Sequence, residues 1–175
     1  ALLFTQATTA QSKEFSTIIR QIILSADSVM LISHNVTLEY GPRLAPDWDI
    51  SDTSMNLTKW KQQNPDLLSF KDGERINKMI IRESLLLTDS GKQNLIKILL
   101  RHVVPKENKI INCDEPRHTI IMCKDGKQSF IDICFNCKHI HTSKDIYFDE
   151  EFMDKKKWKE LENFFKTNGL TLSFD

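Results

Sequence analysis

No stretch of this sequence approaches the roughly 20 consecutive apolar residues that a membrane-spanning helix requires. Charge of one sign is not in excess either. Twenty-four Lys and Arg balance twenty-four Asp and Glu, so the formal net charge is zero. A chain with no basic surplus has no general electrostatic pull towards nucleic acid or anionic lipid, so neither a nucleic-acid partner nor a membrane span is expected. There is no glycine-rich phosphate loop and no Ser nucleophile elbow, so the sequence announces neither nucleotide binding nor Ser-based hydrolysis. It has no internal repeat and no low-complexity segment. No cysteine lies near residue 10, where a bacterial lipid anchor would need one.

What remains is the composition of a folded domain, with 40% hydrophobic and 27% charged residues over 175 positions. That length suits one domain and buries roughly two thirds of the surface its unfolded chain exposes. Residues 1–10 stand apart. They carry no charge, open on Ala1-Leu2-Leu3-Phe4 and end in small residues at Ala10. This is the pattern of the back half of a secretory signal peptide, and the Ala-Gln-Ser junction from Ala10 to Ser12 resembles bacterial cleavage sites. The expectation is a signal-peptide remnant over 1–10 and a single α+β domain over 11–175. It would work in the periplasm or outside the cell, with an extracytoplasmic protein or a small ligand as its partner.

Within the domain, Phe15, Ile18, Ile19, Ile22 and Ile23 repeat at helical spacing and predict one buried helix face. Residues 28–39 are rich in Val, Ile, Leu and Thr and read as strand. Residues 41–58, with Pro42, Pro46, Trp48 and Met55, read as a long loop. Ile76, Met79, Ile80 and Leu87 predict a second helix over 74–87. Thr88-Asp89-Ser90 predicts the cap of a third, with Leu95, Ile98, Leu99 and Val103 inward and Pro105 as its stop. From Arg117 the period changes to that of strands. Residues 118–123 and 128–135 read as a hairpin about Asp125-Gly126, and residues 145–148 as a third strand. Phe152, Trp158, Leu161, Phe164 and Phe165 form the apolar face of a final helix closed at Asn168-Gly169. The fold class is α+β: a small antiparallel sheet with a central β-hairpin packed against several helices, the C-terminal one included.

All four cysteines fall in the last third, at Cys113, Cys123, Cys134 and Cys137, beside His118, His139 and His141. If Asp125 and Gly126 are the two turn residues, Cys123 faces Gln128 and Arg117 faces Cys134. Cys123 is then about 20 Å from Cys134 at about 3.3 Å per strand residue, and Cys113, Cys134 and Cys137 gather at the open end. Three chemistries fit that cluster. One is a structural disulfide from Cys113 to Cys134 or Cys137. Another is a metal centre for zinc or a similar transition metal, held by these cysteines with His118, His139 or His141. The third is a redox-active Cys134-Phe135-Asn136-Cys137 pair, although no helix begins at Cys134 to lower a thiol pKa. Arg117 can hold an anion, or serve structurally by binding a carboxylate near the C-terminus.

Cys113, Pro116, Arg117 and His118, followed by a hairpin and then Ile133, Cys134, Phe135 and Cys137, resemble an uncharacterised family of secreted bacterial proteins. That family shares Cys-x-x-Pro-Arg-His, a strand pair, Ile-Cys-Phe-x-Cys and a last helix ending before glycine. The resemblance spans roughly residues 88–170. It implies export and this fold and adds no activity; Cys123 is an extra relative to the pattern. Other signals are sparse. Asn35-Val36-Thr37 and Asn56-Leu57-Thr58 are glycosylation sequons with meaning only in a eukaryotic secretory pathway. Asp47, Asp49 and Asp52 lack the spacing of a calcium loop. Together these readings point to a secreted or periplasmic binding or structural module whose cluster is held by a disulfide or a metal. The alternative is a metal- or thiol-dependent enzyme using the same cluster.

Overall fold

The computed structural model describes residues 18–35, 70–72, 75–103, 115–148 and 153–172. In these, helix α1 occupies residues 18–25 and strand β1 is Ser28–His34. A two-residue pair follows, β2 (Lys71–Asp72) and β3 (Arg75–Ile76), then a 3-10 turn at Lys78–Ile80 and strand β4 (Ile81–Leu86). Helix α2 is Asp89–Leu99. Strands β5 (His118–Lys124), β6 (Lys127–Cys134) and β7 (His139–Thr142) precede helix α3 (Lys155–Thr167). Strands β4, β1, β5, β6 and β7 form one five-stranded antiparallel sheet in that order.

The hairpin is the organising element. Asp125 and Gly126 take φ of 50° and 77°, the left-handed pair that a tight two-residue turn demands and that Asp-Gly tolerates. The turn fixes the register at Cys123↔Gln128, Ile121↔Phe130, Thr119↔Asp132 and His118↔Ile133, the pairing expected from the sequence. Because side chains alternate across a strand, this register sorts the sheet into two faces.

One face carries Val29, Leu31, Ile120, Met122, Ile131, Ile133 and Ile140 and packs against all three helices. Ile19 and Ile23 arrive from α1, Leu95, Ile96 and Leu99 from α2, and Trp158, Leu161, Phe164 and Phe165 from α3. Helices α2 and α3 are capped by their own sequence. Thr88 Oγ1 accepts the Gly91 N–H at 3.2 Å, and Asp154 Oδ1 accepts that of Lys157 at 2.7 Å. At the other end of α3, Gly169 with φ of 84° lets its N–H reach Lys166 O at 3.0 Å and that of Leu170 reach Phe165 O at 3.2 Å. This doubly bonded cap tucks Leu170 into the core. Arg101 binds Asp154 and Glu160, while Lys157 Nζ donates to Leu99 O at 3.0 Å. These contacts staple α2 to α3.

The opposite face has a smaller core of Ile32, Ile121 and Phe130, covered by Phe70, Ile76 and Ile80. Here the structure corrects two expectations. Of the helix expected over 74–87, the described residues 75–87 form instead β3, the 3-10 turn and β4. Ile76 and Ile80 do face inward, but onto the sheet, and Met79, needed for a helical stripe, is 76% exposed. Pairing with β1 along Met30↔Leu86 to His34↔Ile81 outweighs the local helical period. The third strand of the hairpin sheet is His139–Thr142, not 145–148. Lys138 adopts a left-handed φ of 56°, so the chain reverses within residues 135–138 and pairs again at once. Ile146 is buried all the same. The strand read over 28–39 is seen from Ser28 to His34. The loop at 41–58, with Phe15, Pro105, Cys113 and Phe152, lies outside the described residues.

Candidate functional site

The second sheet face holds a polar cluster that the sequence did not announce. His34, Thr119 and Asp132 are each 0% exposed, yet they sit on β1, β5 and β6 among apolar neighbours. Alternation puts them there together. Thr119 pairs with Ile32 on one side and with Asp132 on the other, and His34 lies two residues on from Ile32. Asp132 Oδ1 receives the Thr119 hydroxyl at 2.6 Å and meets His34 Nε2 at 3.1 Å. His34 Nδ1 lies 2.7 Å from the Asn35 carbonyl oxygen. A carbonyl only accepts, so Nδ1 carries a hydrogen. The contact between Nε2 and Oδ1 lets two ionisable groups share full burial. Phe70 covers the imidazole, with ring centroids 5.5 Å apart, and itself stacks edge-on against Phe130.

The order of these groups limits their chemistry. To activate a hydroxyl nucleophile, the imidazole must stand between hydroxyl and carboxylate. Here the carboxylate stands between, so Thr119 gives its hydrogen bond to Asp132 and the imidazole is turned away. The arrangement pins a carboxylate. It pins only one of its oxygens: Asp132 Oδ2 is buried and has no hydrogen-bond partner among the described residues. Beside it on edge strand β7, His141 pairs with Asp132 and His139 with Cys134. The two imidazoles touch edge to face, with centroids 4.6 Å apart at 89°. Asp132, Cys134, His139 and His141 therefore occupy one face at one sheet edge.

His118 is not among them. It points to the helix-covered face, 1% exposed, between Phe135 at 5.1 Å and Phe165 at 5.4 Å. Burial, reinforced by the nearby His34, lowers its pKa from 6.5 to about 4, so at neutral pH it is an uncharged core side chain. The expectation that His118 shares a metal with His139 or His141 fails, because the sheet stands between them. Arg117 continues the β5 ladder. Its N–H donates to Ile133 O at 3.3 Å and its carbonyl accepts the His34 N–H at 2.9 Å. Its guanidinium meets Glu115 Oε2 at 3.5 Å; the chain's last three residues, where a C-terminal carboxylate is expected, lie outside the described residues.

The cysteines divide as the register requires. Cys123 lies near the turn, half-buried, and its thiol accepts from Gln128 Nε2 at 3.7 Å. Cys134 is a thiol as well, 3% exposed, and its sulfur accepts the Cys137 N–H at 3.2 Å. Cys137 is also 3% exposed and is disulfide-bonded. Cys134 and Cys137 thus do not bond to each other. Cys113 lies outside the described residues. Among the described residues, no three His, Cys, Asp or Glu side chains converge as they stand into a metal-binding group.

Asp132 carried a signal in the sequence, since a carboxylate between Ile131 and Ile133 in a strand asks for a buried partner. Hairpin arithmetic alone places it opposite Thr119. His34 needed the position of β1, which no local pattern supplies. Among the described residues no helix is long and apolar enough to cross a membrane. No protein-family model, curated protein or solved structure matches this chain.

Proposed function

We propose that the chain is an exported binding or structural module whose β5–β6–β7 end is locked by a disulfide between Cys113 and Cys137. One observation carries this reading: Cys137 is disulfide-bonded while Cys123 and Cys134 are thiols. Cys113 is the one other cysteine in the sequence. A bridge closing a loop of about 25 residues contributes roughly 3–4 kcal/mol by restricting the unfolded chain. Such a bond persists in an oxidising compartment, which favours the periplasm or the cell exterior. The resemblance to secreted bacterial proteins points the same way.

The same observation weighs against the enzyme alternative built on these cysteines. A sulfur held in a disulfide is neither a nucleophilic thiolate nor a thiolate ligand, and the buried Cys134 lacks the exposure that reactive thiols need. The partner of such a module is an extracytoplasmic protein or a small ligand. The test is export. Produced from its natural gene, the protein should be recovered outside the cytoplasm with Gln11 or a neighbour as its first residue. Recovery of the unprocessed chain from the cytoplasm would contradict the reading.

A further inference from the structure

We propose that Asp132, His139 and His141 form a binding site for one divalent transition-metal ion of the zinc class. A fully buried carboxylate normally satisfies both oxygens, and an orphan marks a strained group or a missing ligand. At Asp132 the bonding is one-sided. Thr119 and His34 both hold Oδ1, while Oδ2 has no partner among the described residues. Both of those partners come from the β5 and β1 side of β6, and the strand on the other side is β7. There His141 stands directly opposite Asp132, and its ring touches that of His139.

Two imidazoles and one carboxylate are a ligand set for borderline divalent ions, with the remaining positions left to water. A ligating carboxylate is commonly held by hydrogen bonds to its other oxygen, and those outer contacts tune affinity. Thr119 and His34 already provide them. The missing step is small. The three side chains do not converge as they stand, and His139 and His141 are half-buried on an edge strand, so binding requires their imidazoles to turn towards Asp132. Being partly exposed, they also give an ion a way in. This set differs from the Cys113, Cys134, Cys137 and His118 combinations considered from sequence. It shares no residue with the proposed disulfide, so either proposal can fail without the other.

The experiment is calorimetric titration of the purified, disulfide-intact full chain with zinc chloride at pH 7.5. Histidine NMR signals are followed in parallel. The expected result is one ion per chain, with the resonances of His139 and His141 shifted and that of His118 unmoved. His141→Ala should weaken binding at least tenfold. Thr119→Val, which loosens the carboxylate without touching a ligand, should weaken it by about 10- to 100-fold. Asp132→Asn should do the same wherever circular dichroism shows it folded, and Thr119→Val decides the matter if it is not. Absence of one-to-one binding would overturn the site. Binding that Thr119→Val leaves unchanged would overturn it too, since a bare surface His-x-His pair would then account for the ion.

Discussion

The two faces of the sheet use the same strands for opposite ends. Against the helices, alternate residues of β1, β5 and β6 are mostly Val, Leu, Ile and Met, with Ser33 and His118 among them, closed by Phe135, Trp158 and Phe165 from the segments behind them. On the other side the same strands carry Ile32 and Ile121 but also His34, Thr119 and Asp132, all fully buried. The first face is held by area removed from water, which is tolerant of detail and scales with apolar surface. The second depends on hydrogen bonds being completed, where one missing partner leaves a buried charge. Stability is therefore expected to reside mainly with the helices, and specificity with the polar face.

Truncation on the helix side should show the largest loss. Phe165 is 0% exposed and meets both His118 and Phe135, so Phe165→Ala should cost up to about 5 kcal/mol in denaturant unfolding. A loss under roughly 1 kcal/mol would make α3 peripheral and dissolve the contrast. On the polar side, Asp132→Ala should cost about 3–4 kcal/mol, because it strands the buried His34. Replacing His34 and Asp132 together by leucine should recover much of that loss. If the double variant is no better than the single one, the two residues do not act as a pair.

Acid sharpens the comparison from the helix side. The His118 imidazole takes up a proton near pH 4 in the folded chain and near 6.5 when unfolded. Over that window the unfolded state binds more protons, so stability falls as pH drops. At about 1.4 kcal/mol per unit, the loss on going from above pH 6.5 to about pH 4 is on the order of 3 kcal/mol. His118→Phe should flatten this part of the pH profile. An unchanged acid limb would mean that His118 is solvated.

The sequence made some of this legible for local reasons. The Asp125-Gly126 turn sets the register of β5 and β6, and that register separates Cys123 from Cys134. Thr88 and Gly169 marked the ends of α2 and α3 because caps are local chemistry. What failed was decided at a distance. Ile76, Met79 and Ile80 satisfy a helical period, and only pairing with β1 shows that β4 is an edge strand. β7 was misplaced because Lys138, unlike glycine, gives no warning of a left-handed turn. The polar cluster needed β1, β5 and β6 side by side, and His34 and Asp132 are 98 residues apart along the chain.

The central claim is that register sorts the cysteines, leaving thiols at Cys123 and Cys134 and locking the open end through Cys137. The most direct measurement is mass spectrometry of peptides from protein alkylated without reduction. The account predicts Cys113 joined to Cys137, with Cys123 and Cys134 both carrying the alkyl label. A Cys134–Cys137 bond, or any bridge that includes Cys123, would contradict it.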